Sequence, residues 1–222
     1  MLYLCESLPP SITINIIIII SIYMENTFTE IYEKKIWGNN NNENYSGSSG
    51  DGSSLNFNVV YISWLKKFIT DYNIKSVIDL GCGDFRIGKK LYDNLDILYT
   101  GYDTYKKVVE YNKKQYPEPK YTFKHLDFCN NKENITGGDM CILKDVIQHW
   151  SLKEIYPFLD YLIESKKFKY ILIVNCANQT IDNADCICGN FRPLSYKFLP
   201  LKKYNIIKIG YYNSKEISII KM

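Results

Sequence analysis

The sequence predicts an α/β fold in which helices cover both faces of a seven-stranded, mostly parallel sheet. Two observations support this prediction. Between Lys75 and Cys176, short apolar segments alternate with amphipathic segments of helical period, which is the pattern of parallel strands joined by helices. Beyond Tyr204, two apolar segments follow each other with only a turn between them. We therefore expect these two to form an antiparallel hairpin at the edge of the sheet.

Each predicted element follows from the spacing of its apolar residues. The predicted strands cover residues 75–80, 97–103, 121–128, 139–145, 169–176, 204–213 and 215–222. The predicted helices cover residues 25–37, 55–72, 85–95, 105–116 and 152–165. Between the first two helices, residues 38–54 are rich in glycine, serine and asparagine, and we call this segment the glycine-rich loop.

The amino-acid composition restricts the kinds of protein that this chain can be. The 222 residues are 46% hydrophobic and 15% aromatic, which is enough for one domain with a core. A net charge of +3 does not by itself indicate a nucleic-acid partner, and no basic segment is interleaved with aromatic residues, so we predict none. Seven scattered cysteines are typical of reduced thiols in a cytoplasmic protein. Cys186 and Cys188 form the only close pair and lack the second pair of a zinc site, so we expect no metal.

The first 23 residues differ from the rest of the chain. Their apolar run from Ile12 to Tyr23 is shorter than the roughly 20 residues of a membrane-spanning helix. No basic residue precedes this run and no small-residue cleavage site follows it, which argues against a signal peptide. We interpret residues 1–23 as a dispensable N-terminal extension and residues 24–222 as a single domain. An extra strand or a membrane-touching arm is the alternative for the extension.

The segment SVIDLGCGD, which ends the first predicted strand, indicates a ligand site. Gly81 and Gly83 allow a tight turn and a close approach of the backbone to a ligand. Asp103 ends the next strand, where a carboxylate can accept hydrogen bonds from ribose hydroxyls. In open parallel sheets ligands bind beyond the carboxyl ends of the strands. The pattern therefore predicts an adenosine-containing cofactor.

NAD and S-adenosylmethionine (SAM) are the two main cofactor candidates. A dinucleotide fingerprint has a third glycine where this chain has Arg86, and it faces a pyrophosphate. Asp84 lies where that phosphate would be and would repel it. SAM has no phosphate and carries a sulfonium cation, which suits acidic surroundings. The residues therefore favour SAM over NAD.

These motifs resemble the class I SAM-dependent methyltransferases, over about residues 25–222. The resemblance implies a Rossmann-like fold whose reversed last strand is the C-terminal hairpin. It also implies that the first motif holds the methionine part, that Asp103 binds ribose, and that Asp127 and Phe128 flank adenine. The cofactor-binding residues that we assign on this basis are Asp79, Gly81, Cys82, Gly83, Asp103, Asp127, Phe128 and Lys144.

A narrower resemblance suggests the acceptor. The segments IYEKKIWG, SGDGSSL, IDLGCGD and LKDVIQHWS are similar to a subgroup common in viruses and bacteria, some of whose members methylate sugar hydroxyls on glycans. It implies an O-methyltransferase that acts on a glycan. The alternatives are a small-molecule nitrogen or carboxylate acceptor, or RNA. A SAM-binding assembly module without catalysis and a nucleotide-dependent reductase are further alternatives.

The fourth predicted strand leads into KDVIQHW at the same edge of the sheet. Asp145 and His149 are four residues apart and would share one face of a helical turn. A carboxylate beside an imidazole fixes its tautomer and favours its protonated form. We therefore predict Asp145 and His149 as the catalytic pair, with His149 as the general base. The alternatives are that His149 packs against a helix and that Asp145 caps one.

Five residues are predicted to bind the acceptor. Tyr45, Ser49 and Ser53 belong to the glycine-rich loop, which can fold over the cofactor or the acceptor as a lid, or can be a solvated linker. Asn175, at the end of the fifth strand, and Arg192, in GNFRPL, lie on the acceptor side, where Arg192 can hold an acidic or hydroxyl-rich substrate. Trp37 is expected to wall the pocket.

Overall fold

The computed structural model describes residues 24–40 and 43–222. The predicted N-terminal extension, residues 1–23, lies outside the described residues. The strands are β1 (Ser76–Leu80), β2 (Leu98–Asp103), β3 (Tyr121–His125), β4 (Gly138–Lys144), β5 (Phe168–Cys176), β6 (Ile207–Tyr212) and β7 (Lys215–Lys221). The helices are α1 (24–33), α2 (Val59–Asp71), α3 (Arg86–Tyr92), α4 (Lys106–Gln115) and α5 (Leu152–Glu164).

The seven strands form one sheet in the order β3-β2-β1-β4-β5-β7-β6. Strands β1 to β5 pair in parallel, whereas β7 pairs antiparallel with both β5 and β6. The predicted sheet, its C-terminal hairpin and the edge position of that hairpin are confirmed.

The hairpin turn decides where β7 begins. Asn213 and Ser214 both have positive φ angles, 43° and 65°, as the tightest hairpin turns require. The register then pairs Tyr212 with Lys215, and Lys215 with Cys176 at the end of β5. Because β7 runs against β5, its first residue lies at the carboxyl edge of the parallel strands.

Alternate residues of each strand serve two separate cores. One core joins the sheet to α2, α3 and α4, and includes Leu65, Leu91 and Val108. The other joins the opposite face to α5, and includes Phe158 and Leu162. The side-chain period of two along a strand produces this division, so both faces are covered as predicted.

Several predicted boundaries differ from the structure; the third helix ends at Tyr92 and the sixth strand begins at Ile207, and three further differences lie near the glycine-rich loop and β3. The first helix ends at residue 33, and residues 34–37 form a turn. A short 3-10 turn, Asn56–Asn58, precedes α2. The third strand ends at His125, because the pairing partner β2 ends at Asp103. Asp127 and Phe128 therefore lie in a loop rather than in a strand.

None of the helices among the described residues combines the length and the apolar character that crossing a membrane requires.

Asp139 joins β1 to β4 at the amino end of the sheet. Its carboxylate accepts the backbone amides of Lys75 and Ser76 at 2.8 and 3.0 Å. We expect Asp139→Ala to lower the free energy of unfolding by about 1–3 kcal/mol, because two backbone donors lose their acceptor. Burial opposes ionisation of Asp139, but Lys169 and the two amides outweigh it, so its pKa lies below its ordinary value.

Chemical denaturation of Asp139→Ala at several pH values tests this contribution. A carboxyl group with a lowered folded-state pKa stabilises the protein at neutral pH and loses that effect as the pH falls through the folded pKa. The difference between wild type and variant should therefore shrink in acid. Asp96→Ala, at a fully exposed carboxylate, is the control. An equal loss in both variants would contradict the assignment.

Candidate active site

A cavity opens at the carboxyl edge of the sheet, where β1, β2 and β4 end. In the sheet, β1 lies between β2 and β4. The strands that follow β1 in the chain, β2 and β3, lie on one side of it, and β4 lies on the other, so the strand order reverses here at a topological switch point. Ligands of open α/β sheets bind at such points. The cavity walls also include side chains of α1 and of the glycine-rich loop.

The turn after β1 is shaped by two glycines. Gly81 and Gly83 have φ angles of +86° and +52°, and the Gly81 amide donates to the Tyr102 carbonyl at 2.8 Å. A Cβ atom at Gly81 would lie 2.5 Å from a Val146 methyl group, and one at Gly83 would lie 2.6 Å from Ser49 Oγ. Both positions need glycine for conformation and for space, because Val146 and Ser49 lie directly against the backbone of this turn.

Three carboxylates that line the cavity have no cationic hydrogen-bond partner: Asp103 and Asp127, which are buried, and Asp79, which is partly buried. Their hydrogen-bond partners are neutral: Asp79 accepts from the Tyr99 hydroxyl at 2.8 Å, and Asp103 accepts from the Gly83 amide at 2.9 Å. Burial raises the pKa of all three, to about 6 for Asp79. Desolvated carboxylates with neutral partners favour a cationic ligand.

Asp84 is paired within the protein. Its carboxylate contacts the Arg86 guanidinium and accepts from the Tyr45 hydroxyl at 3.3 Å. This pairing neutralises Asp84, so its predicted repulsion of a phosphate is weaker than the sequence suggested. The negative character of the cavity comes instead from the three unpaired carboxylates.

One end of the cavity, next to the loop that follows β3, is lined by apolar side chains. Phe128 packs against Trp150 with ring centroids 5.8 Å apart, and Met24 and Phe28 of α1 face the same space. The adjacent Asp127 is held in place by the side-chain amide of Asn130 at 2.7 Å. A flat apolar group with polar edges, such as a purine, fits this end.

Residues 47–53 of the glycine-rich loop pack onto the cavity. Ser49 Oγ lies 2.9 Å from the Tyr32 hydroxyl and accepts the Asp84 amide at 3.3 Å. The Gly52 carbonyl accepts Lys144 Nζ at 2.8 Å. This segment therefore has specific contacts with both the first motif and the end of β4, which fits the lid interpretation and not a solvated linker.

Asp145 lies between two lysine side chains. Its Oδ2 atom is 2.8 Å from Lys144 Nζ, and its Oδ1 atom contacts Lys215 Nζ. Burial would raise the pKa of Asp145, but the two lysines outweigh that effect and lower it. Asp145 is therefore a fixed anion and a poor proton acceptor. Its φ angle of 60°, unusual for a residue other than glycine, directs the carboxylate towards both lysines.

The predicted direct pair of Asp145 and His149 is not present. Residues 147–149 form a 3-10 turn, so the spacing of four does not place them on one α-helical face. Gln148 lies between them: its Nε2 atom is 3.2 Å from Asp145 Oδ1 and 3.4 Å from His149 Nε2. The Asn190 carbonyl, 3.0 Å from His149 Nδ1, fixes the tautomer, because a carbonyl can only accept.

His149 is also not held in its protonated form. Burial lowers its pKa, and this outweighs the opposing effects of the Asn190 carbonyl and Asp145. The imidazole ring lies between two aromatic rings, with centroids 4.8 Å from Trp37 and 6.0 Å from Phe191. His149 and Trp37 line the cavity as predicted.

The predicted acceptor residues are placed in different environments. Ser49 and Ser53 line the cavity, and Tyr45 lines an adjoining polar cleft beside Asp84. Asn175 and Arg192 are buried away from the cavity wall, at 1% and 4% exposure. Arg192 Nη1 donates to the Trp150 carbonyl and so anchors its own loop, which is a structural role in place of the predicted substrate contact. Cys82 and Lys144 line the cavity with the other predicted cofactor residues.

The described residues contain no group of three or more histidine, cysteine or acidic side chains arranged to hold a metal ion.

Comparisons with known proteins show which fold the chain has. No protein-family model matches the chain, and curated proteins give no significant match. The methyltransferase domain of bacterial CtHen1-C aligns with a TM-score of 0.58 and 16% identity over 75% of this chain and 98% of that chain. PigF with SAH aligns with a TM-score of 0.58 and 8% identity over 75% and 56%. The chain has a methyltransferase fold.

A third solved structure is longer than this chain. The bifunctional kinase-methyltransferase WbdD aligns with a TM-score of 0.54 and 12% identity, over 78% of this chain and 40% of WbdD. At such identities the likeness concerns the methyltransferase fold and not the acceptor.

Sequence reasoning missed three residues of the site in this methyltransferase fold. Tyr32 follows Phe28 by four residues, and this spacing suggested only helix packing. Gln148 was part of KDVIQHW but had no assigned role. Lys215 had no signal in the sequence, because only the two-residue turn and the antiparallel register bring the start of β7 to Asp145.

Gly52 provides a test of the packing of the loop. A Cβ atom there would lie 2.8 Å from Asp145 Oδ2. We expect Gly52→Ala to displace residues 47–53, to speed their cleavage by proteinase K several-fold, and to lower the melting temperature. Ser53→Ala, which adds no volume to the same loop, is the control. Equal protection of Gly52→Ala and wild type would show that the loop does not pack on Asp145.

Proposed function

We propose that the protein is a SAM-dependent methyltransferase. The observation that carries this proposal is the set of three carboxylates, Asp79, Asp103 and Asp127, which line the cavity around a glycine turn and have neutral hydrogen-bond partners. A ligand with a sulfonium and an ammonium group would relieve their desolvation, whereas a pyrophosphate would add to the negative charge. Support comes from the fold neighbour PigF, whose structure holds SAH, the demethylated form of SAM.

The residues fit the parts of such a cofactor. The backbone at Gly81 and Gly83 would border the methionine part, Asp103 would accept from ribose hydroxyls, and Asp127 and Phe128 would border the purine. When bound, SAM supplies a methyl group that is already strongly electrophilic. The protein then has to align the acceptor atom with the methyl–sulfur bond, exclude water and remove a proton from the acceptor.

We infer that the acceptor is a hydroxyl group, with a sugar or glycan as the preferred class. One fold neighbour is an O-methyltransferase family protein from Burkholderia thailandensis, with a TM-score of 0.57 and 11% identity over 74% of this chain and 55% of that protein. Phe191 is 56% exposed and, with Trp37, flanks His149 on the cavity wall. Such aromatic surfaces are suited to the apolar face of a sugar ring.

Calorimetry tests the cofactor. SAM and SAH should bind, and NADH should not. Asp103→Asn should weaken SAH binding by about 10–100-fold, because one charge-assisted hydrogen bond to the ribose is lost. Asp96→Asn, at the exposed carboxylate, should bind SAH like wild type. Tight NADH binding without SAH binding would refute the proposal.

Transfer of a labelled methyl group from SAM to neutral hexoses, glycans, carboxylic acids, amines and RNA oligonucleotides tests the acceptor. With a hydroxyl acceptor, Asp145→Asn should lower turnover by about 100-fold or more while SAH still binds, because deprotonation of the acceptor depends on this cluster. A carboxylate acceptor needs no base, so turnover of the variant would then stay near that of wild type. SAH binding without transfer to any acceptor would favour an assembly module.

A further inference from the structure

The cluster at the end of β4 contains one more cation than its single carboxylate balances. Lys144, Asp145 and Lys215 have side-chain exposures of 13%, 18% and 5%. One carboxylate can neutralise one ammonium group, and a second buried ammonium group is costly unless it is paired or loses its proton. The arrangement therefore raises the question of which lysine is the counter-ion.

Lys215 has the geometry of the counter-ion. It contacts Asp145 Oδ1, it is the more deeply buried of the two lysines, and it does not line the cavity. Its other polar neighbour is the Cys176 thiol, with Sγ 3.9 Å from Nζ, which is a weak acceptor. Loss of its proton would leave Asp145 without its closest partner.

Lys144 has the geometry of a neutral amine. Its Nζ atom has two acceptors, the Gly52 carbonyl and Asp145 Oδ2, each at 2.8 Å. A neutral amine has two N–H groups and one lone pair, so these two acceptors use both hydrogens. Lys144 forms part of the cavity wall, and these two hydrogen bonds leave the lone pair of the amine unused.

We propose that the Lys144 amine takes the proton from the acceptor hydroxyl, with Lys215 as the positioning residue that neutralises Asp145. This inference rests on the proposed function. The acceptor oxygen forms its bond to the methyl carbon as its O–H bond breaks. The proton passes to Lys144 Nζ, and the electron pair of the broken carbon–sulfur bond stays on sulfur. The positive charge thereby moves from the sulfonium to the Lys144 ammonium, so charge is conserved.

The groups around Lys144 are consistent with this role. Burial lowers its pKa, Lys215 on β7 adds to that effect, and Asp145 and Asp79 oppose it. The Tyr61 ring of α2 lies 5.7 Å from Nζ and brings no formal charge at neutral pH. His149 is a poorer candidate because the lone pair of its Nε2 atom faces the Gln148 amide at 3.4 Å.

The direct test is a titration of protein labelled with carbon-13 at the lysine ε positions, followed by NMR. Lys144→Arg and Lys215→Arg assign the two signals. We expect the Lys144 midpoint to lie below that of free lysine. It should move upward in Lys215→Met, because Asp145 then becomes the counter-ion of Lys144, and it should stay low in Lys215→Arg. Lys203→Met, at an exposed ion pair with Asp160, should leave it unchanged.

The wild-type spectrum decides the proposal even if Lys215→Met does not fold. A Lys144 midpoint at or above that of free lysine, or a low midpoint at Lys215 instead, would overturn it. The titration needs no bound cofactor, so its result is separate from SAH calorimetry, which tests the proposed function. In the labelled-methyl assay, Lys144→Met should lose about 100-fold or more in turnover and His149→Ala less. A larger loss in His149→Ala would also overturn the proposal.

Discussion

The Asp145 carboxylate is the contact on which the arrangement of the site depends. It joins the end of β4 to the start of β7 through Lys215, and to the glycine-rich loop through Lys144 and the Gly52 carbonyl. These three segments are far apart in the chain, so one buried ionic cluster holds the edge of the sheet and the loop in a single geometry. Removing one partner of such a cluster typically costs about 3–5 kcal/mol, because a buried charge is left unpaired. Electrostatics, more than apolar packing, therefore determines the shape of this part of the cavity.

The cavity has parts of different electrostatic character. Around the glycine turn, carboxylates with neutral partners create a region that attracts a cation, and the end of β4 carries the amino group of Lys144 beside Asp145. A methyl transfer from a sulfonium needs this polarity, because positive charge disappears at sulfur while a proton leaves the nucleophile. Both groups are oriented by the fold before any ligand binds, so little reorganisation is needed during the reaction.

The likeness to solved methyltransferases concerns the fold, whereas the wall of the cavity here also depends on loops. Identities of 8–16% to CtHen1-C, PigF and WbdD are those of a shared fold. Here the segment from Gly189 to Arg192 donates to the carbonyls of His149 and Gln148, and it brings the Phe191 ring to within 6.0 Å of the His149 ring. Proteins that share one fold commonly differ in such loops, and this is how the same sheet can support reactions with different acceptors.

The order of the helices and strands and the glycine turn of this protein were predictable from local sequence patterns. Alternating apolar segments predicted the sheet, and Asp79 with Gly81 and Gly83 predicted the turn after β1, because both signals are local periods or turns. The contacts at the end of β4 depend instead on how distant segments pack. A spacing of four does not reveal that Asp145 takes a left-handed conformation, that Gln148 separates it from His149, or that strand reversal brings Lys215 to it. These features depend on register and burial between distant segments, which no local pattern records.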